Sequence, residues 1–133
     1  MRLPIRRVEK PWGYELIFAH TDRYVGKVLH VDAGQALSLQ YHEVKDETLF
    51  LAEGEVELVV EEDGVLVRQV LRAGESYRIT PFTKHRMIAG GLGCDIIEVS
   101  TPELDDVVRL EDRYGRVGGG GEVEEEKEAQ VGE

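Results

Sequence analysis

"EVELVVEEDGVLVRQVL" (residues 55–71) holds two valine-rich runs, 55–61 and 65–71, on either side of Asp63-Gly64. Asp-Gly tolerates the backbone twist of a tight two-residue turn, so the stretch predicts a β-hairpin. Runs of the same kind recur on both sides: Tyr14–Ala19, Tyr24–Val31, Leu37–His42, Glu47–Leu51, Ser76–Thr80, His85–Ala89 and Cys94–Ser100. Turn residues punctuate them at Asp32-Ala33-Gly34, Glu53-Gly54, Ala73-Gly74 and Gly90–Gly93. About nine short strands with no competing helical period predict an all-β sandwich or barrel. Pro102–Tyr114 changes character, with a proline followed by acidic residues, and reads as one short C-terminal helical or irregular segment packed on the barrel. Residues 1–116 therefore form the barrel domain. Residues 117–133, a glycine run and then an acidic run, bury too little apolar surface to order and read as a disordered tail.

The chain has 133 residues and a formal net charge of −11, which bounds what it does. The last seventeen residues hold six glutamates and one lysine, so the rest carries −6. Such a surface repels phosphate backbones and excludes nucleic acid as the expected partner, though a small anion remains possible if cations line its pocket. No apolar run approaches the roughly 20 residues that span a bilayer, so no membrane partner is expected. One cysteine, Cys94, and no apolar leader point to the cytoplasm. Asparagine is absent and charged residues are many, which fits a thermophilic source or codon bias equally.

Chemistry concentrates in "SLQYHEVKDE" (residues 38–47). Side chains two apart on a strand share a face, so Gln40 and His42 look the same way. After a short turn through Val44–Asp46, Glu47 returns to that face at the start of the next run. Three potential ligands converging on one point is what a metal ion needs.

Wider spacing carries a resemblance. Gly34 precedes Gln40 by six residues, Gly54 follows Glu47 by seven, and Gly74 precedes Pro81 and His85. This two-part layout resembles the cupin superfamily, which implies a double-stranded β-helix, or jelly-roll, barrel and a fourth metal ligand at His85. "KPWG" (10–13), "LSLQYH" (37–42), "ESYRITPFTKHR" (75–86) and "DDVVRLEDRYGR" (105–116) together resemble the cupin domain of type II mannose-6-phosphate isomerases. The likeness covers roughly residues 8–116. There are departures: glutamine stands for the usual first histidine, Lys45 for arginine and Leu49 for an aromatic. Thr80 and Phe82 stand for proline and glycine, so the turn leading to His85 is expected to change shape.

A set of one amide oxygen, two imidazoles and one carboxylate suits zinc, manganese, iron or nickel, and leaves a divalent ion with net positive charge. The resemblance implies a metal-dependent sugar-phosphate aldose–ketose isomerase working through an enediolate, with mannose 6-phosphate and fructose 6-phosphate as substrates. Its alternatives are a noncatalytic sugar-binding or sensing cupin and a cupin oxygenase. Lys27 is a substrate-side candidate, and the resemblance implies Lys45, Arg86 and Arg109 as the others. Lys27 shares parity with Leu29 and Val31, so it points inward and needs a partner such as Glu47 or a bound anion. A solvated loop is an equal reading for Lys45, and for Arg109 and Arg116 ion pairing with Glu111 or Asp112 is favoured. The sequence assigns no general base; Lys27 or a pocket acid are the candidates. Trp12 and Pro11 read as packing at one barrel end, Tyr41 as facing away from the ligands, and His20 and His30 as exposed. Leu3–Val8 could add to a neighbour's sheet edge, which would make a homodimer.

Overall fold

The structure, a computed structural model, describes residues 1–119 and 126–129. It is built from strands: β1 (Ile5–Lys10), β2 (Gly13–His20), β3 (Val25–Val31), β4 (Leu39–Tyr41), β5 (Glu47–Glu62), β6 (Val65–Arg72), β7 (Ser76–Ile79), β8 (His85–Ser100), β9 (Val108–Glu111), β10 (Gly118–Gly119) and β11 (Glu126–Ala129). Every pairing is antiparallel. Asp63-Gly64 closes the β5–β6 hairpin as its sequence requires, with both residues at positive φ.

Two strands of sixteen residues, β5 and β8, run side by side through the whole barrel. Register shifts at Leu51/Glu53 and Gly54/Val56 bend the pair, so each strand serves two sheets. The first half of β5 and the last half of β8 join β7 and β3–β2–β1. The other halves join β6 and β4–β9–β10. The sequence reading ended strands at Glu53-Gly54 and Gly90–Gly93, whereas the structure carries them through. Gly54 sits at φ +86, and a Cβ there would collide with the Gly93 carbonyl, so glycine permits the crossing of two bulged strands rather than a chain reversal.

The core alternates inward along these strands: Leu29 and Val31, Leu49 and Leu51, Val56, Leu58 and Val60, and Ile96 are all buried. Trp12 is buried among them at one end, while Pro11 is exposed. The same inward parity takes Lys27, Glu47, His85 and Glu98 out of water, and this polar end of the interior is the site.

The C-terminal segment corrects one expectation. Among the described residues there is no helix, and so none long and apolar enough to cross a membrane. Pro102–Tyr114 forms turns and then β9, which pairs with β4 through Gln40↔Arg109 and Tyr41↔Val108. Two causes are visible. Val107-Val108 is β-branched and suits a strand, and Asp106 directs its carboxylate to another loop instead of to the segment's own amides. Of the expected tail, Gly118–Gly119 pairs with β9 and Glu126–Ala129 with β1; residues 120–125 and 130–133 lie outside the described residues. The N-terminal strand proposed for a neighbour's edge lies between β2 and β11 of its own chain.

Candidate metal centre and its cavity

Strand β4 presents Ser38, Gln40 and His42 on one face, β5 starts with Glu47, and β8 starts with His85. His42 Nδ1 lies 2.5 Å from the Asp106 carbonyl oxygen and His85 Nδ1 lies 2.9 Å from that of Thr83. A carbonyl only accepts, so in each ring Nδ1 carries a hydrogen and Nε2 is the atom turned toward the interior. Both Nε2 atoms converge on Glu47 Oε1, at 3.5 Å from His42 and 3.3 Å from His85. Neither Nε2 atom makes an aligned hydrogen bond, and both are buried.

Glu47 is itself ionised. Burial opposes its charge, but Lys45 and the two imidazoles outweigh burial and hold the carboxyl well below the ordinary range. An Nε2 lone pair aimed at a carboxylate oxygen repels it, and either a proton on the ring or a metal ion among the three groups relieves that repulsion. Ligands about 2.1 Å from a common ion at tetrahedral or octahedral angles stand about 3.0–3.4 Å apart, close to the spacing found here. Among the described residues, His42, Glu47 and His85 are the cluster whose donor atoms could hold a metal ion, and all three are buried. Gln40 stands opposite His85 across β4 and β8, on the wall of the same cavity. Its amide oxygen accepts a hydrogen bond from Ser38 Oγ at 2.6 Å and keeps a second lone pair.

Loop geometry fixes these ligands. Asp106 accepts hydrogen bonds from the backbone N–H groups of Glu43, Val44 and Lys45, at 3.0, 2.7 and 2.8 Å. Burial raises the Asp106 carboxyl, yet these three donors bring it below its ordinary value. One residue thus shapes the turn between His42 and Glu47 and orients the His42 ring. On the other side the turn before His85 keeps a left-handed residue: Phe82 sits at φ +63, although it is not glycine. A hydrogen bond from Phe82 N to His42 O, at 2.6 Å, and stacking of its ring on Tyr41 hold the position. Tyr41 faces away from the ligands, as alternation demands.

The lysines are more deeply placed than a sequence shows. Lys45 is 4% exposed, and its Nζ bridges Glu47 Oε2 at 3.1 Å and Glu98 Oε2 at 3.2 Å. Burial lowers the Lys45 pKa, but Glu98 and Glu47 more than reverse this and raise it. Lys27 also points inward, but its partners are Glu15 at 3.3 Å and Glu98 at 3.9 Å rather than Glu47. Lys10 approaches Glu15 at 4.0 Å. The result is a ladder of alternating charge, Glu47–Lys45–Glu98–Lys27–Glu15–Lys10, running from the imidazoles to strand β1.

This ladder lines a cavity of about 120 Å³. Among the described residues, six cations reach its wall: Arg6, Lys10, Lys27, Lys45, Arg109 and Arg116. Arg109, on β9 opposite Gln40, is buried there. Arg116 is held by Asp112 at 3.0 and 3.2 Å, the ion pair its sequence suggested. Arg86 is not on this wall. Its Nε donates to the Leu37 carbonyl and its Nη2 to the Glu111 carbonyl, so it ties β8 to neighbouring segments. His20 is exposed; His30 is half-buried against Asp95, 2.6 Å away, and stacks on Tyr14. Sequence reasoning missed Arg6, Lys10, Glu15, Glu98 and Asp106. A signal existed for the first two: Arg6, Val8 and Lys10 alternate on one strand.

A barrel of two sheets sharing bulged strands, with two histidines and a glutamate at one end, defines a cupin. The chain belongs to the family described as the C-terminal domain of mannose-6-phosphate isomerase, which matches residues 4–112. It is 38% identical over 117 residues to the mannose-1-phosphate guanylyltransferase of Escherichia coli, covering 84% of this chain and 23% of that protein. It is 32% identical over 115 residues to the xanthan biosynthesis protein XanB of Xanthomonas campestris, covering 84% and 24%. The chain thus spans about a quarter of the length of these curated relatives. A double-stranded β-helix protein from Klebsiella pneumoniae shares the fold, with a TM-score of 0.62 at 22% identity over 82% of this chain and 85% of that one.

Proposed function

We propose that the chain is a metal-dependent sugar-phosphate isomerase that interconverts mannose 6-phosphate and fructose 6-phosphate, with Gln40, His42, Glu47 and His85 as metal ligands. The observation that carries this reading is the opening of the His42–Glu47–His85 centre into a cavity that also gathers six cations in a protein of net charge −11. Zinc, manganese, iron or nickel would suit the mixed oxygen and nitrogen donors. When bound, a divalent ion would supply a Lewis acid for the sugar's carbonyl and hydroxyl oxygens and stabilise enediolate charge.

The chain's own residues do the rest. Asp106 O and Thr83 O fix the ring orientations, and Lys45 holds the second oxygen of Glu47. Buried walls exclude water, which strengthens each charge interaction inside. Isomerisation also needs a base to carry a proton between two adjacent carbons. Lys27 has its ammonium committed to Glu15 and Glu98, so we assign the base to one of the cavity carboxylates that is not a ligand, Glu15 or Glu98.

The relatives' names favour a second reading, because a domain matching a quarter of a guanylyltransferase could bind a sugar phosphate without turning it over. A coupled assay of mannose 6-phosphate conversion, with and without chelator, separates the two. Chelator-sensitive turnover that Gln40→Ala weakens supports the isomerase. Binding of mannose 6-phosphate with no turnover under any metal overturns it in favour of the binding module.

A further inference from the structure

We propose that the outer face of the sheet formed by β1, β2, β3, the last half of β8, the first half of β5 and β7 is an interface between two copies of this chain, packed face to face about a twofold axis. The inference is independent of the metal centre and of its substrate.

The two sheets of the barrel turn different faces to solvent. On the sheet that carries β6, outward residues are charged and paired in place: Glu57 with Arg68, Glu55 with Arg72 and Glu111 with Arg86. On the other sheet, the four central strands turn out Leu16 and Phe18 (β2), Val28 (β3), Ile97 and Val99 (β8) and Phe50 (β5). Phe18, Phe50 and Val99 are 39%, 41% and 52% exposed, and the other three are half-buried. Strand pairing makes them one patch, because Leu16, Val28, Ile97 and Phe50 stand in a single row across the sheet. Phe18 fills the space over Gly26, where a Cβ would stand 2.6 Å from its ring, and Val99 pairs with Gly26. Charges at the border are paired within the chain: Arg7 with Glu9 at 2.7 Å, Arg78 with Asp46 at 2.6 Å and His30 with Asp95 at 2.6 Å. Covering the patch strands none of these six groups.

Size and symmetry select the occupant. Six strands about 4.8 Å apart, crossed by the seven residues of β3 at about 3.3 Å each, make a face of roughly 650 Å² in projection. Side-chain relief adds to that, and a stable dimer takes about 800 Å² of accessible surface from each partner. A small ligand or one added strand covers only part of such a face, whereas a second sheet covers it whole. A twofold axis parallel to the strands, between β3 and β8, lays each β3 over the other copy's β8 and each β2 over the other's β5. The apolar row then meets itself in reverse order, Val28 against Ile97 and Leu16 against Phe50. In the row that holds His30 and Asp95, the same reversal sets each imidazole over the other copy's carboxylate, so charge matches as well as shape. Sheets packed this way lie about 10 Å apart with their strands inclined by about 30°. A net charge of −11 repels copies over most of their surface, so they meet best at a face without charge of its own.

Sedimentation equilibrium of the full chain tests the interface. The wild type is expected to be a dimer with a dissociation constant of about 1 μM or tighter, the weak end for an interface of this size. Phe50→Asp and Val99→Asp should each raise that constant about 100-fold or more, because each puts a charge into the covered patch of both copies. Both side chains are exposed in the single chain, so circular dichroism should show the fold of each variant intact. Phe50→Leu keeps an apolar contact and should remain a dimer. Val70→Lys, at a position 45% exposed on the other sheet, should remain one too. A wild type that is a monomer at about 100 μM overturns the proposal. A dimer that Phe50→Asp and Val99→Asp leave unchanged, or that Val70→Lys breaks as readily, also overturns it, because the copies then meet at another surface.

Discussion

The two ends of the cavity are built by opposite means. At the His42–Glu47–His85 end, two imidazoles and a carboxylate converge, an arrangement that a ring proton or a metal ion relieves. At the β1 end, the side chains of Arg6, Lys10, Arg109 and Arg116 reach the same wall. Between them, Lys45, Glu98, Lys27 and Glu15 alternate in sign and keep the barrel interior nearly neutral.

The largest effect should come from the join between ladder and centre. Lys45→Met leaves Glu47 and Glu98 buried without their shared cation, and is expected to cost about 3–5 kcal/mol in denaturant unfolding. A loss under about 1 kcal/mol would show that the ladder is not needed to hold the carboxylates. Acid should act in the same direction. Glu47, Glu15 and Asp106 have folded pKa values below their ordinary ones, so their contribution is present above the ordinary glutamate value of 4.5 and is lost as pH falls below it. Thermal midpoints across pH 3–7 should therefore drop on the acid side, and Lys45→Met should flatten that drop.

Asp106→Ala should have a middling effect. It removes the acceptor of three backbone N–H groups and leaves the His42 contact to the backbone carbonyl, so stability should fall by about 1–3 kcal/mol. Metal affinity should weaken with it, by about 10–100-fold in equilibrium metal titration, and an unchanged affinity would show that Asp106 does not position His42 or Glu47. Phe82→Gly should matter least. It relieves a left-handed conformation worth about 1–2 kcal/mol but removes the stack on Tyr41, so the unfolding free energy should stay within about 1 kcal/mol of the wild type.

The contrast between the two ends also marks what the sequence could reveal. The metal end is local: Gln40, His42 and Glu47 lie within eight residues, and strand alternation alone puts the first two on one face. The hairpin at Asp63-Gly64 was legible for the same reason, since a turn is a property of adjacent residues. The ladder was not. That Lys27 meets Glu15 and Glu98 follows from the pairing of β2, β3 and β8, which brings together residues as far apart as 15 and 98. Glycine misled where it marked bulges: Gly54 and Gly93 read as ends of strands because a sequence does not show the second strand that crosses there. The acidic start of Pro102–Tyr114 looked like a helix N-terminus, but Asp106 caps the loop beside Glu47 instead.

The most direct test of this account is equilibrium metal binding to the chelator-stripped full chain, for the wild type and for the His42→Ala/His85→Ala double variant, with folding of both checked by circular dichroism. The predicted result is one divalent ion per wild-type chain and none on the folded double variant. A wild type that takes up no ion under any loading condition, or a double variant that still binds one as tightly, would contradict it.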